Sequence, residues 1–180
     1  MSRPLMLDLF AGLGGASRAF RERGWEVVTV DNDPRFGCTE TADLSSWSWP
    51  GRRPTLVWAS PPCTEFSRES MPWCRTGNTP SMALVLAAVR IVRECQPDWW
   101  VLENVRGSAK YIAPLLGEPT VCGPFFLWGQ FPPFRCRVRG FKEKLSSARR
   151  AERAQVPRAL SAALLGAVEN NLLDAAEVRR

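Results

Sequence analysis

Leu5-Met6-Leu7-Asp8-Leu9-Phe10-Ala11-Gly12-Leu13-Gly14-Gly15 decides how the rest of the chain is read. Leu5 to Phe10 is an apolar run broken by a single acid, the pattern of a buried strand. Three glycines follow, and Ala16 to Arg23 then reads as a helix stopped by Gly24. Strand, glycine-rich turn and helix in that order open a parallel α/β unit. Glycines let the backbone approach a ligand closely, and a helix start adds partial positive charge. Two readings fit the turn: a seat for a nucleotide-like ligand, or a tight structural turn with a capping acid. The G-x-G-G spacing departs from G-x-G-x-x-G, which argues against an NAD site.

Further along, strand and helix patterns keep alternating. Trp25 to Asp31 reads as a second strand ending on an acid, where a carboxylate suits a ribose diol. Asp33-Pro34 breaks it, and Ala42-Asp43-Leu44 lies near a short third strand. Thr55 to Ala59 is a fourth, followed at once by Pro61-Pro62. Met82, Val85, Leu86, Val89 and Val92 keep helical spacing over 81–95. Trp99 to Val105 and Cys122 to Trp128 read as two more strands. A C-terminal helix over 157–173 has Pro157 in its first turn. The polar stretch 64–80 reads as a long loop with the character of a lid. The fold class expected is α/β, a single Rossmann-like domain with a mostly parallel sheet and helices on both faces.

One hundred and eighty residues are enough for one domain with a substantial core. A net charge of +6 favours a polyanionic partner such as nucleic acid. With no histidine, a zinc site would need cysteines and carboxylates alone, so no metal is expected. The usual general base of nucleophilic catalysis is missing as well. Neither a secretion signal nor a membrane-spanning apolar run is present in the sequence, and a reducing, cytoplasmic setting is expected. Cys38, Cys74, Cys95, Cys122 and Cys136 are accordingly read as inert thiols.

Cys63 differs from these. Pro61 and Pro62 hold it on a stiff extended loop, and Arg68 or Arg75 nearby would favour its thiolate. It is either a nucleophile or a buried structural cysteine. Glu103 ends the apolar run Trp99-Trp100-Val101-Leu102, where desolvation raises a carboxyl pKa and lets it donate to a ring nitrogen. It is otherwise an acid capping a strand end. Asn104 beside it is placed to fix the loop that carries Cys63.

Taken together, Asp8 to Gly15, Ser60 to Ser67 (Ser-Pro-Pro-Cys-Thr-Glu-Phe-Ser) and Glu103-Asn104-Val105 resemble the first, nucleophile and glutamate motifs of DNA (cytosine-5)-methyltransferases, especially compact phage-type and orphan members. The segment from Arg153 through Leu160 is similar to their tenth motif, which packs beside the first. The resemblance implies S-adenosylmethionine as cofactor, seated by Asp8, Leu9, Phe10, Gly12, Gly14, Gly15, Asp31, Asn32, Asp43, Leu44 and Pro62. It implies catalysis on a cytosine flipped out of DNA, with Cys63 attacking C6 and Glu103 activating the ring. Trp73 and its neighbours in 64–80 would close over the base. The cofactor half would span about 1–60 and the cytosine half about 60–145.

Two departures stand out. The run between Arg139 and Arg153 is too short for a target-recognition domain, which leaves sequence specificity to loops or to a second subunit. Arg135, Arg137 and Arg139 follow the Phe125 to Trp128 strand, whereas the family's eighth motif places its arginines ahead of it. Arg135 and Arg137 are candidates for the cytosine oxygen, and equally for phosphates. RNA, single-stranded DNA or a free cytosine nucleotide are alternative substrates, and a non-catalytic DNA-binding or cofactor-sensing role is the alternative function.

Overall fold

The computed structural model describes residues 3–69, 79–136, 138 and 155–177. Seven strands, β1 (Leu5–Leu9), β2 (Glu26–Asp31), β3 (Glu40–Thr41), β4 (Leu56–Ala59), β5 (Trp99–Val105), β6 (Thr120–Cys122) and β7 (Phe125–Gln130), form one sheet. Their order is β3-β2-β1-β4-β5-β7-β6. The first five are parallel, and β7 runs antiparallel to both β5 and β6. The helices are α1 (Arg18–Glu22), α2 (Thr64–Glu69), α3 (Ala83–Cys95), α4 (Ala109–Leu116) and α5 (Arg158–Glu177). This is the expected α/β fold with a mostly parallel sheet.

The apolar runs that predict the strands are explained by burial on both faces. Leu5, Leu7 and Leu9 of β1, Val57 and Ala59 of β4 and Leu102 of β5 face α3 and α4. Met6, Leu56, Trp58 and Val101 alternate with them and face α1 and α5. The two-residue period of a strand fixes this division. It also sends Asp8, Asp31, Ser60 and Glu103 toward the α1/α5 face. The α5 helix docks there through Leu160, Leu164 and Val168, all buried. The Pro157 carbonyl accepts from the N–H groups of Leu160 and Ser161, which starts the helix just after the proline.

Several expectations need correction. Cys122 to Trp128 is a hairpin, not one strand, because Gly123 turns the chain at φ 60 ahead of Pro124. α4 was not legible, since Pro114 inside it breaks a helical pattern. The start of the expected loop over 64–80 is helical as α2, anchored by buried Phe66 against Tyr111 with ring centroids 5.9 Å apart. Residues 70–78 of that loop, with Trp73, Cys74 and Arg75, lie outside the described residues. Cys122 and Cys136 are not inert thiols but a disulfide, because the chain after β7 turns back and brings their Cα atoms to 5.8 Å. No helix among the described residues is long and apolar enough to cross a membrane.

Candidate active site

Parallel pairing puts the C-terminal ends of β1, β2, β4 and β5 on one edge of the sheet. The strand order reverses between β1 and β4, where connections leave in opposite directions and open a crevice. The glycine-rich turn leaves β1, Asp31 ends β2, the Cys63 loop leaves β4 and Glu103 nears the end of β5. The sequence-predicted residues are therefore gathered by topology.

On the β1/β2 side, backbone conformation makes the cradle. Phe10 adopts φ 58, a conformation costly for a side-chain residue, and Gly12 and Gly14 follow at φ 51 and 72. A Cβ added at Gly12 would meet nothing within 4 Å, so this stretch of backbone borders open space. The Asp31 carboxylate accepts from Gly12 N–H at 2.9 Å and from Asp33 N–H at 3.0 Å. Each oxygen keeps a lone pair for a ligand hydroxyl. Asn32 is exposed beside it. Asp43 is exposed too and accepts from Ser45 N–H at 2.9 Å, a bond that lowers its pKa. Leu9 and Leu44 are core side chains, so their contribution to a ligand site is limited to their backbone.

Asp8 is buried at 1% exposure, and its Oδ2 has no hydrogen-bond partner. Burial pushes its carboxyl up to about 7, opposed by a hydrogen bond with Ser17 and by the Arg21 guanidinium. Ser17 and Arg21 are residues that the sequence reading missed. The available signal was their i, i+4 spacing, which puts both on one face at the start of α1, directly after the turn that leaves Asp8's strand. Gly15 has a different role from its neighbours: a Cβ there would lie 2.7 Å from the Val156 carbonyl oxygen and 2.9 Å from its nitrogen. Its lack of a side chain admits the segment that leads into α5.

On the β4/β5 side, hydrogen bonds make the frame. Buried Asn104 donates through Nδ2 to the Pro61 carbonyl at 3.0 Å and accepts from Val105 N–H at 2.9 Å. The proline loop is thereby tied to the neighbouring strand. Pro62 is exposed and Cys63 half-buried. Burial pushes the Cys63 thiol up, a hydrogen bond with Ser67 opposes this, and the Glu103 charge adds to it. The Arg68 side chain and all of Arg75, the expected activators, lie outside the described residues. Glu103 is 8% exposed, and burial raises its carboxyl to about 7 against a hydrogen bond from Ser60. It holds its proton to near neutrality. A cavity of about 150 Å³ adjoins the loop, lined in part by Pro61, Pro62, Phe66 and Leu84.

Arg135 is exposed, one residue from the cystine. The chain leaves β7 at the far edge of the sheet, yet Cys136 is bonded to Cys122, which pairs with Phe125 and so lies level with Val105. The disulfide thus returns Arg135 to the edge that carries Glu103, two strands or roughly 10 Å across the sheet. Arg137 and Arg139 lie outside the described residues.

The fold and this edge define the class, an α/β methyltransferase domain. The methyltransferase EhMeth of Entamoeba histolytica superposes with a TM-score of 0.51 at 18% identity, over 81% of this chain and 58% of that one, a likeness of fold. Residues 5–111 match the family model described as C-5 cytosine-specific DNA methylase, and the chain belongs to that family. It is 32% identical over 127 residues to the type II methyltransferase M.XorII of Xanthomonas oryzae pv. oryzae, covering 59% of this chain and 29% of that protein. It is 31% identical to M.HgiGI of Herpetosiphon aurantiacus, over 55% of this chain and 88% of the relative. A probable DNA (cytosine-5)-methyltransferase of Frog virus 3 is 30% identical over 55% of this chain and 52% of its own length. The chain thus spans less than a third of M.XorII and about half of the viral protein.

Family membership implies S-adenosylmethionine, and the residues present fit it. The orphaned Oδ2 of Asp8 suits a cationic amine, the Asp31 oxygens suit ribose hydroxyls, and the open space at Gly12 admits a close approach.

Proposed function

We propose that this chain methylates C5 of cytosine in DNA. The observation that carries the reading is that the loop bearing Cys63 leaves β4 beside the end of the parallel neighbour β5 that bears Glu103, whose charge raises the thiol. S-adenosylmethionine, held by Asp8, Asp31, Asn32, Asp43 and the glycine turn, supplies an electrophilic methyl group. The Cys63 thiolate adds to C6 of the flipped base. Glu103, protonated near neutral pH, hydrogen-bonds N3 and stabilises the negative charge that develops in the ring, which makes C5 nucleophilic. After C5 takes the methyl group, with the demethylated thioether as leaving group, a base takes the C5 proton, Cys63 leaves as thiolate and the aromatic ring returns. Asn104 keeps the loop in register through Pro61. Arg135 is a cation at this edge for the cytosine oxygen or a flanking phosphate, and exposed Arg106 stands just after β5 at the same edge.

The test is transfer of label from the cofactor to duplex DNA. Wild type incorporates label and forms a covalent adduct with DNA containing 5-fluorocytosine. Cys63→Ser does neither. Equal, background-level incorporation by both proteins overturns the reading. The short run between Arg139 and Arg153 favours a second reading, in which the same chemistry acts on single-stranded DNA, RNA or a free nucleotide. Competition of each against the labelled duplex separates them, and a partner subunit that restores sequence choice would appear in the same assay.

A further inference from the structure

Ser60 directly follows β4, where its N–H still donates to the Leu9 carbonyl of β1, and it lies two residues after Trp58, so both side chains leave on the same face. Glu103 of β5 leaves on that face too, because its neighbour Val101 packs with Trp58 in the core beneath α1 and α5. Ala59 pairs with Leu102, so the parallel register sets Ser60 beside Glu103. Trp58 is fully buried, and its indole N–H donates to Ser60 Oγ at 2.8 Å.

An indole nitrogen is a donor only. With Oγ accepting from it, the Ser60 hydroxyl proton points away from Trp58, toward the neighbour that the register supplies, the Glu103 carboxyl. The order is therefore indole to hydroxyl to carboxyl, with its donor end locked in the core. A hydroxyl that donates to a carboxyl must face the oxygen without a proton. Whenever Glu103 is protonated, the proton then sits on its other oxygen.

We propose that Ser60, held by Trp58, is a positioning residue that fixes which oxygen of Glu103 carries the acidic proton. In the reaction proposed above this presents the proton to the base and not to the protein, a consequence that rests on that reading. Among the described residues the titratable neighbour is Cys63, on the loop after β4, whose thiol the Glu103 charge raises. Across the sheet, the register partner on β7 is apolar Leu127, and Glu103 makes no ion pair among the described residues.

The experiment is a ¹³C NMR titration of glutamate side-chain carboxyls in the intact protein, with the Glu103 resonance assigned by its loss in E103Q. Ser60→Ala removes a bond that favours the ionised form, so the Glu103 midpoint rises by about one pH unit. Ser60→Thr restores the hydroxyl and returns the midpoint to the wild-type value. Trp58→Phe frees the hydroxyl to turn and gives a smaller rise in the same direction. Where alanine prevents folding, Ser60→Cys, near-isosteric with a far weaker donor, serves the same purpose. An unmoved midpoint in Ser60→Ala, or a threonine variant that shifts as far as alanine, overturns the assignment. A chain that shows these shifts but methylates nothing loses the proposed function and keeps the positioning role. A chain that methylates DNA with unmoved midpoints does the reverse.

Discussion

The two halves of the site edge are built by different physical means. Around β1 and β2 the cradle is a backbone shape, set by positive φ at Phe10, Gly12 and Gly14 and by the room that Gly15 leaves for Val156. Around β4 and β5 the frame is a set of directed hydrogen bonds, from Asn104 to Pro61 and from Trp58 to Ser60, which the register sets beside Glu103. A backbone cradle places a ligand without committing side-chain donors, which leaves the Asp8 oxygen free. A hydrogen-bonded frame fixes protons as well as atoms, which is what acid–base chemistry requires.

The largest expected effects come from separating the halves. Cys63→Ala should lower methyl transfer at least about a thousand-fold while leaving cofactor affinity unchanged by calorimetry. Asp8→Ala should weaken cofactor binding roughly ten- to a hundred-fold. Its Cys63 should still react with an alkylating reagent at the wild-type rate. Loss of both properties in either variant would show that the halves are one cooperative unit.

Next in size is the pH dependence of stability. Asp8 and Glu103 have ordinary values of 3.8 and 4.5 and are both raised to about 7 in the fold. Below the ordinary values both are protonated folded or unfolded, and burial of the carboxyls adds no ionisation penalty. Between these values and 7 the unfolded chain binds fewer protons than the folded one, so stability falls as pH rises, by ~4 kcal/mol for Asp8 and ~3 kcal/mol for Glu103. Asp33, held down to about 2 by Arg35, acts in the opposite direction but only below its ordinary range. Urea midpoints of the cofactor-free protein should therefore be higher at pH 5 than at pH 8. Asp8→Asn and Glu103→Gln should each flatten the profile, and an unchanged slope in both would refute the assignment.

The disulfide closes a loop with a sequence separation of 14 and returns Arg135 to the site edge. Replacing Cys122 and Cys136 by serine should cost about 3 kcal/mol in thermal or urea unfolding. Smallest is Gly15→Ala, whose Cβ meets the Val156 backbone. We expect a loss of about 1–3 kcal/mol as α5 is pushed off the turn. Cofactor affinity should fall with it, while the Glu103 midpoint stays in place. A midpoint that moved would mean that the cradle and the frame communicate.

Much of this edge was legible beforehand because strands report themselves by burial. β5 was read with its observed bounds, since Trp99 to Val105 is an unbroken run for a strand covered on both faces. Asp31 and Glu103 announced themselves as acids at the ends of such runs, Asn104 through its place next to Glu103, and Asp8, inside its strand, only through the resemblance of its motif. The hairpin at Gly123 was not legible, because an apolar run has the same pattern whether or not the chain reverses within it. α4 was hidden by Pro114. The Cys122–Cys136 bond depends on where the chain goes after β7, which no local pattern records.

The sequence by itself determined the parallel α/β architecture and the order of the glycine turn, the nucleophile loop and the glutamate, because period-two burial and proline–glycine punctuation are local properties. Only the tertiary structure decided which groups share a face and a neighbour. Strand register set Ser60 against Glu103, the packing of α5 gave Gly15 its purpose, and the depth of the core set both raised carboxyls. Those are relations between segments distant in the chain, fixed by how much water the assembled core excludes.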